Sequence, residues 1–155
     1  MEISFTKRSN KKNTISCKRT DGTVTWMQTD IFFVLHDLAH YAVETTLGYR
    51  NAFYGMLESG VNISDFELPK NQRPFALTPE AINAEFVVNL IMTQYRDGIS
   101  GDFNELLKEA YSYNAPHLQP PVISLGIVEK MRNDFNSVKA RWDQLPDGQT
   151  LVLNF

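Results

Sequence analysis

Two imidazoles and two carboxylates lie along one stripe of an otherwise apolar segment, Ile31 to Leu47. On a helix that turns about 100° per residue, His40 lies about 40° around the axis from His36. Glu44 and Asp37 follow at about 80° and about 100°. Histidines at i and i+4 stand one above the other on a helix, which is the spacing that helical metal sites use. The segment therefore predicts a metal site.

This helix cannot supply a complete set of metal ligands. His36 and Glu44 are about 12 Å apart along the axis, whereas a ligand atom lies about 2.1 Å from zinc. His36 and His40 are therefore the predicted pair, and a catalytic metal usually has at least three protein ligands. Glu85 is the first choice for the third ligand, because it is an acid at the edge of an apolar helix face. Glu44 and His117 are the next choices, and Glu44 has a second interpretation as the acceptor that orients His40.

The segment His36-Asp37-Leu38-Ala39-His40 resembles the H-E-x-x-H metal helix of zinc peptidases, with Asp in place of the general-base Glu. That resemblance implies that His36 and His40 bind Zn or another divalent metal. It also implies that Asp37, one methylene shorter than Glu, is the base or the residue that orients a water. The pattern H-D-x-x-H also resembles a motif of proteins of ubiquinone biosynthesis, but that motif continues with Glu twelve residues after the second His, where this chain has Ala52, so the match ends after five residues.

A longer run, HDLAHYAVE followed by GYRNAF, resembles a family of small bacterial proteins to which no activity is assigned. The resemblance covers most of the chain. Together, the two resemblances and the ligand spacing predict a metal-binding protein. If the protein is an enzyme, it is a metal-dependent hydrolase that acts on a small molecule or a peptide.

The alternative interpretation is that the polar stripe is the solvated face of an amphipathic helix. The protein is then a non-enzymatic binding or interaction domain that contacts its partner through residues 61–77 or through three exposed aromatic residues, Tyr49, Phe53 and Tyr54. The two hypotheses predict different arrangements of residues in the folded protein. The metal hypothesis requires Glu85 or His117 beside the two imidazoles, whereas the interaction hypothesis requires a contiguous exposed apolar patch.

Charge and composition exclude several classes of function. The net charge of −3 over 155 residues gives no basic surface for nucleic acid, and the one dense basic run, residues 7–12, is interpreted as a solvated loop. The chain has no P-loop, no G-x-G-x-x-G and no G-x-S-x-G, so no nucleotide or organic cofactor is predicted. An oligomer is compatible with the sequence.

Cysteine content and hydropathy indicate where the protein works. Cys17 is the only cysteine, so an intramolecular disulfide and a Cys-based zinc cluster are both excluded, and a single thiol fits a reducing compartment. No apolar run is long enough to span a bilayer, and the first ten residues have no apolar signal region. We expect a cytoplasmic protein without a membrane partner.

The elements that must position these residues predict one α+β domain, 1–155. Alternating apolar residues predict short strands and hairpins over 1–28, with an Asp21-Gly22 turn, and a last strand over 149–155 that joins them in an antiparallel sheet. Apolar spacing and capping signals over 29–143 predict five helices, at about 31–47, 49–58, 78–97, 102–112 and 123–143. Residues 61–77 are expected to form a long loop and are a candidate lid.

Overall fold

A computed structural model describes residues 1–155. In chain order, the elements are β1 Glu2–Thr6, β2 Asn13–Lys18, β3 Val24–Thr29, α1 Ile31–Leu47, α2 Phe53–Glu58, α3 Pro79–Asp97, α4 Phe103–Asn114, α5 Leu125–Asp143 and β4 Thr150–Asn154. The four strands form one antiparallel sheet in the order β3-β2-β1-β4. The predicted α+β fold, with a sheet built from both ends of the chain, is confirmed.

The sheet has one buried face, as the alternating sequence predicted. Ile3 on β1 is paired with Cys17 on β2 and with Leu153 on β4, and all three side chains are buried. Their neighbours along each strand point to the opposite face, where Trp26 is 61% exposed. Because successive side chains of a strand point to opposite sides, the apolar residues all lie on one face of the sheet. The helices cover this face. The sheet is therefore a platform with α1 packed on its inner side.

Helix α1 crosses the centre of the molecule and packs against both α3 and α5. It ends where the sequence predicted, at Gly48, whose φ of 69° is left-handed and whose N–H donates to the Glu44 carbonyl. Asp30 is the residue before the first turn, but its side chain makes no capping hydrogen bond. The helix end is thus fixed by a glycine that tolerates positive φ at low cost.

Helix α3 begins and ends as predicted. The Thr78 hydroxyl accepts a hydrogen bond from the Ala81 N–H at 3.0 Å, Pro79 occupies the first turn, and Gly98 ends the helix with a φ of 65°. These local signals fix the position of Glu85, two turns into the helix, relative to α1. None of the helices is both long enough and apolar enough to cross a membrane.

Two predicted boundaries were wrong, each because a side chain elsewhere binds the backbone. Helix α2 begins at Phe53 and not at 49, because the Glu80 carboxylate accepts the Arg50 and Asn51 N–H groups at 2.9 and 2.6 Å. Helix α5 begins at Leu125 and not at 123, because the Ile123 backbone is paired with the Asn104 amide. The 61–77 loop contains two short 3-10 turns, at Ile63–Glu67 and Lys70–Gln72.

Candidate metal centre

The structure brings His36 and His40 of α1 together with Glu85 of α3. Donor atoms from the three side chains all lie within 4.8 Å of one another. The Nε2 atom of His40 is 3.3 Å from one Glu85 oxygen, and Nε2 of His36 is 3.7 Å from the other. Two donors bound to one tetrahedral zinc ion, each at about 2.1 Å, lie about 3.4 Å apart. The two distances from the histidines to Glu85 are therefore close to those between ligands of one ion.

Glu44 lies behind His40 and does not join this group. The Nδ1–H of His40 donates to one Glu44 oxygen at 2.8 Å, and the Tyr54 N–H donates to the other at 3.0 Å. Both oxygens of this fully buried carboxylate are thus engaged away from Nε2. Of the two roles predicted for Glu44, the geometry matches the orienting partner and not the third ligand.

Asp37 has the corresponding position beside His36. Its Oδ1 atom is 3.7 Å from Nδ1 of His36, on the ring nitrogen that does not contact Glu85. The carboxylate thus lies beside the imidazole nitrogen that faces away from Glu85, and its predicted role as base or water-orienting residue stays a prediction. Each histidine therefore has one nitrogen toward Glu85 and the other beside a carboxylate of α1.

The polar stripe is not a solvated helix face, and that alternative was wrong. Asp37 is 9% exposed, His40 4% and Glu44 0%, and the His36 side chain is 16% exposed. The exposed residues of α1 lie toward its ends: Ile31, Phe32 and Phe33 in the first turn are about half exposed, and Thr45 is exposed near the other end. Periodicity correctly grouped the residues by face, but both faces of α1 are buried: Val34, Leu38 and Val43 lie in the core, and α3 packs against the helix and places Glu85 beside the polar stripe.

Burial and charge act against each other on the two imidazoles. Burial disfavours the protonated form of His40, but the hydrogen bonds to Glu44 and Glu85, and the charges of these residues, raise its pKa to about 10. The pKa of His36 is also raised, because Asp37 and Glu85 outweigh burial. Burial opposes ionisation of Glu85, yet the two histidines lower the pKa of this carboxyl. The site thus favours protonated imidazoles beside an ionised Glu85 carboxylate.

One side of the centre is open and aromatic. The Glu85 side chain is 51% exposed, and its Oε1 accepts a hydrogen bond from the Asn89 amide at 2.9 Å. The Phe32 ring is stacked on the His36 imidazole, with centroids 6.4 Å apart, and Phe53 is 5.2 Å from His40. Phe32 and Asn89 were not predicted as neighbours of the site, although each is four residues from a site residue on its own helix.

The aromatic residues predicted to form an interaction surface do not do so. Tyr54 is fully buried and its hydroxyl donates to the Asp37 carbonyl at 2.8 Å. Phe53 is partly buried between His40 and Phe66, whose centroid is 4.9 Å from that of Phe53. The prediction was wrong for Tyr54, whose N–H and hydroxyl are both bound by residues of α1 inside the core.

Two other predicted candidates lie outside the centre. His117 is exposed in the loop after α4 and is not part of the ligand group. Cys17 is fully buried in β2, and burial, with a further contribution from the charge of Asp37, raises its thiol pKa to about 12. A thiol in this environment stays protonated, so Cys17 is unsuited to act as a nucleophile.

Comparison with protein-family models, curated proteins and solved structures finds no match to this chain. The resemblances noted for the α1 segment therefore stay predictions.

Proposed function

We propose that His36, His40 and Glu85 bind one divalent transition-metal ion, zinc first, and that the protein is a metal-dependent hydrolase. The observation that carries the proposal is the convergence of three donor groups within 4.8 Å, from two helices and 45 residues apart in sequence. Two imidazoles and one carboxylate form a ligand set of catalytic zinc sites and of open iron sites.

The surroundings of the three residues support this assignment. Ligating histidines usually donate their second N–H to a carboxylate, which fixes the tautomer and the ring orientation. Glu44 does this for His40, and Asp37 is the nearest carboxylate to the second nitrogen of His36. We propose these two acids as positioning residues and not as ligands. Burial of a carboxylate is costly unless the group is paired and hydrogen-bonded. The hydrogen bond between the buried Glu44 and His40 meets this condition and fixes the orientation of the imidazole.

The hydrolase assignment follows from the number of ligands and from access. Three protein ligands leave a fourth position for water or substrate, and a divalent ion there supplies Lewis acidity. The half-exposed Glu85 gives that position access to solvent. The substrate is proposed to be a small molecule or a peptide. We place the function in the cytoplasm, because the single free thiol fits a reducing compartment.

The test is metal content and metal uptake of protein purified without an affinity tag. We expect wild type to hold or take up a stoichiometric divalent ion, and the His36→Ala/His40→Ala double variant to take up none. Glu85→Gln removes the third ligand charge and should weaken binding about 10- to 100-fold or more, as loss of a supporting partner already does. Cobalt(II) should give a visible spectrum of low coordination number only with wild type.

His117→Ala is the matched control, because it removes the one histidine that lies outside the centre. Its metal uptake should equal that of wild type. Absence of uptake by wild type loaded with excess zinc, or equal uptake by the double variant, would overturn the proposal.

One observation favours a second candidate function. The exposed Ile31, Phe32 and Phe33 form a contiguous apolar turn, as the interaction hypothesis requires, although at a different place from the one predicted. In that case the protein would bind a partner through the start of α1 without a metal. The metal measurement separates the two functions, since the interaction function requires no ion.

A further inference from the structure

A second cavity lies away from the metal centre, between the end of α3, the loop 98–101 and α5. Its volume is about 410 Å³, within the range of pockets that bind small molecules. The lining side chains are Ile91, Gln94 and Tyr95 from α3 and Arg132, Phe135 and Asn136 from α5. Gln94 is nine residues after Glu85 on the same helix, about 13 Å along its axis. The two sites are therefore separate.

Arg132 is the only charged side chain that lines this cavity. It donates a hydrogen bond to the Gln94 side chain at 2.7 Å, and its guanidinium is 5.9 Å from the centre of the Phe103 ring. No carboxylate is within ion-pair distance of it, whereas Lys130 and Lys139 on the same helix are each paired with an aspartate. A guanidinium cannot lose its charge in proteins. Arg132 is thus held in place with most of its donors unused.

The loop beside Arg132 adds donors and no acid. The N–H groups of Ile99, Ser100 and Gly101 make no hydrogen bond within the protein. The acids that flank the loop are already engaged: Asp97 is bound through both oxygens by Arg96, and the Asp102 side chain accepts from the Glu105 N–H. The side chains that line the cavity therefore carry one positive charge, on Arg132, and no negative charge.

Part of the wall is apolar, while Gln94, Ser100 and Asn136 contribute polar groups. The Tyr95 ring is 45% exposed and meets Phe135 edge to face, with centroids 5.4 Å apart, and Ile91 and Ile99 complete the surface. A single planar guanidinium matches a carboxylate through two parallel hydrogen bonds, whereas a doubly charged phosphate would call for further cations. We propose that this cavity binds a small organic acid, with its carboxylate on Arg132 and its apolar body against Tyr95 and Phe135.

The test is a titration of metal-free, isotope-labelled full-length protein with benzoate, observed through the backbone amides of residues 98–101 by NMR. Benzamide, the neutral analogue of the same shape, and inorganic phosphate serve as the other probes. We expect saturable shifts with benzoate, and binding at least about tenfold weaker, or about 1.4 kcal/mol, with each of the other two. Saturable binding of phosphate as tight as that of benzoate would overturn the organic-acid assignment.

Arg132→Gln should weaken benzoate binding about tenfold or more. Arg132→Lys keeps the charge but loses the planar fork, so it should fall between wild type and Arg132→Gln, and it serves if the glutamine variant does not fold. The control is Arg141→Gln, an exposed arginine on the same helix that does not line the cavity, which should bind benzoate as wild type does. No saturable shift in wild type, or unchanged binding in both Arg132 variants, would overturn the proposal.

Discussion

Helices α1 and α5 pack against each other, and both carry oppositely charged partners four residues apart. On α1 the pair is His40 with Glu44, with side chains 5% and 0% exposed. On α5 one pair is Lys130 with Asp134, with side chains 57% and 38% exposed. The spacing is the same, but only the α1 pair is removed from water. Sequence spacing thus determines which side chains pair on a helix. The elements packed around the helix determine how strongly each pair affects stability, because they determine its burial.

The difference has an energetic reason. A surface pair gains little, because water solvates both partners and screens their attraction. A buried pair is costly to form, but removal of one partner leaves the other charged and desolvated. The exposed α5 pairs should therefore contribute little to the free energy of unfolding. Removal of either partner of the α1 pair should therefore destabilise the fold strongly. Two further carboxylates, Asp37 and Glu85, also face the imidazoles at this place.

Glu44→Ala should have the largest effect on stability. It leaves the buried His40 without its closest partner and the Tyr54 N–H without an acceptor. We expect a loss of about 3 to 5 kcal/mol in the free energy of unfolding, measured by urea denaturation of metal-free protein. A loss below about 1 kcal/mol would show that the α1 pair behaves like a surface pair.

Gly55→Ala should rank second, because Gly55 holds α2 where Tyr54 can reach Glu44. A Cβ atom on Gly55 would lie 1.9 Å from the Arg50 carbonyl oxygen, so the backbone of one of the two segments must move. We expect a destabilisation of about 1 to 3 kcal/mol, as for other overpacked sites, in the same denaturation experiment.

Gly126→Ala on α5 is the matched control for that substitution. A Cβ on Gly126 meets no atom within 4 Å, and the residue is helical, so alanine should stabilise the protein by up to about 1 kcal/mol. Similar effects of the two alanines would show that the backbone around Gly55 is packed no more tightly than that around Gly126.

Asp143→Ala should have the smallest effect. It removes the Lys139 partner at a position where the aspartate side chain is 52% exposed, so we expect a change of less than about 1 kcal/mol. Addition of salt should reduce even this difference, because screening weakens exposed pairs. An effect as large as that of Glu44→Ala would mean that burial does not separate the two helices.

Local signals predicted most of the fold. The turn at Asp21-Gly22, the cap at Thr78 and the stop at Gly48 each depend on residues within a few positions, and the structure has all three. The predicted start of α2 failed because Glu80, 29 to 30 residues away, binds the backbone before it. Periodicity also could not tell that the polar side of α1 would be buried along with its apolar side, since that depends on where α3 packs.

The candidate site was predictable in part for the same reason. The His36 and His40 pair follows from spacing on one helix, and Glu85 stood out as an acid beside an apolar face. The assignment of Glu44 to His40 and not to the ligand group required knowledge of the Tyr54 N–H, which a sequence pattern does not contain. Arg132 showed no signal at all, because an unpaired arginine is recognisable only when its surroundings are known.

The contact between His40 and Glu85 also has a consequence for the topology of the chain. It joins residues 45 positions apart, and the enclosed segment contains α2 and the two 3-10 turns. A hydrogen bond closes this ring weakly and reversibly. An ion bound to both residues would act as a clasp, and a covalent clasp around about 45 residues restricts the unfolded chain by about 4 kcal/mol. Loading of the centre would then tether the whole 41–84 segment at both ends, so that its fraying becomes dependent on metal supply.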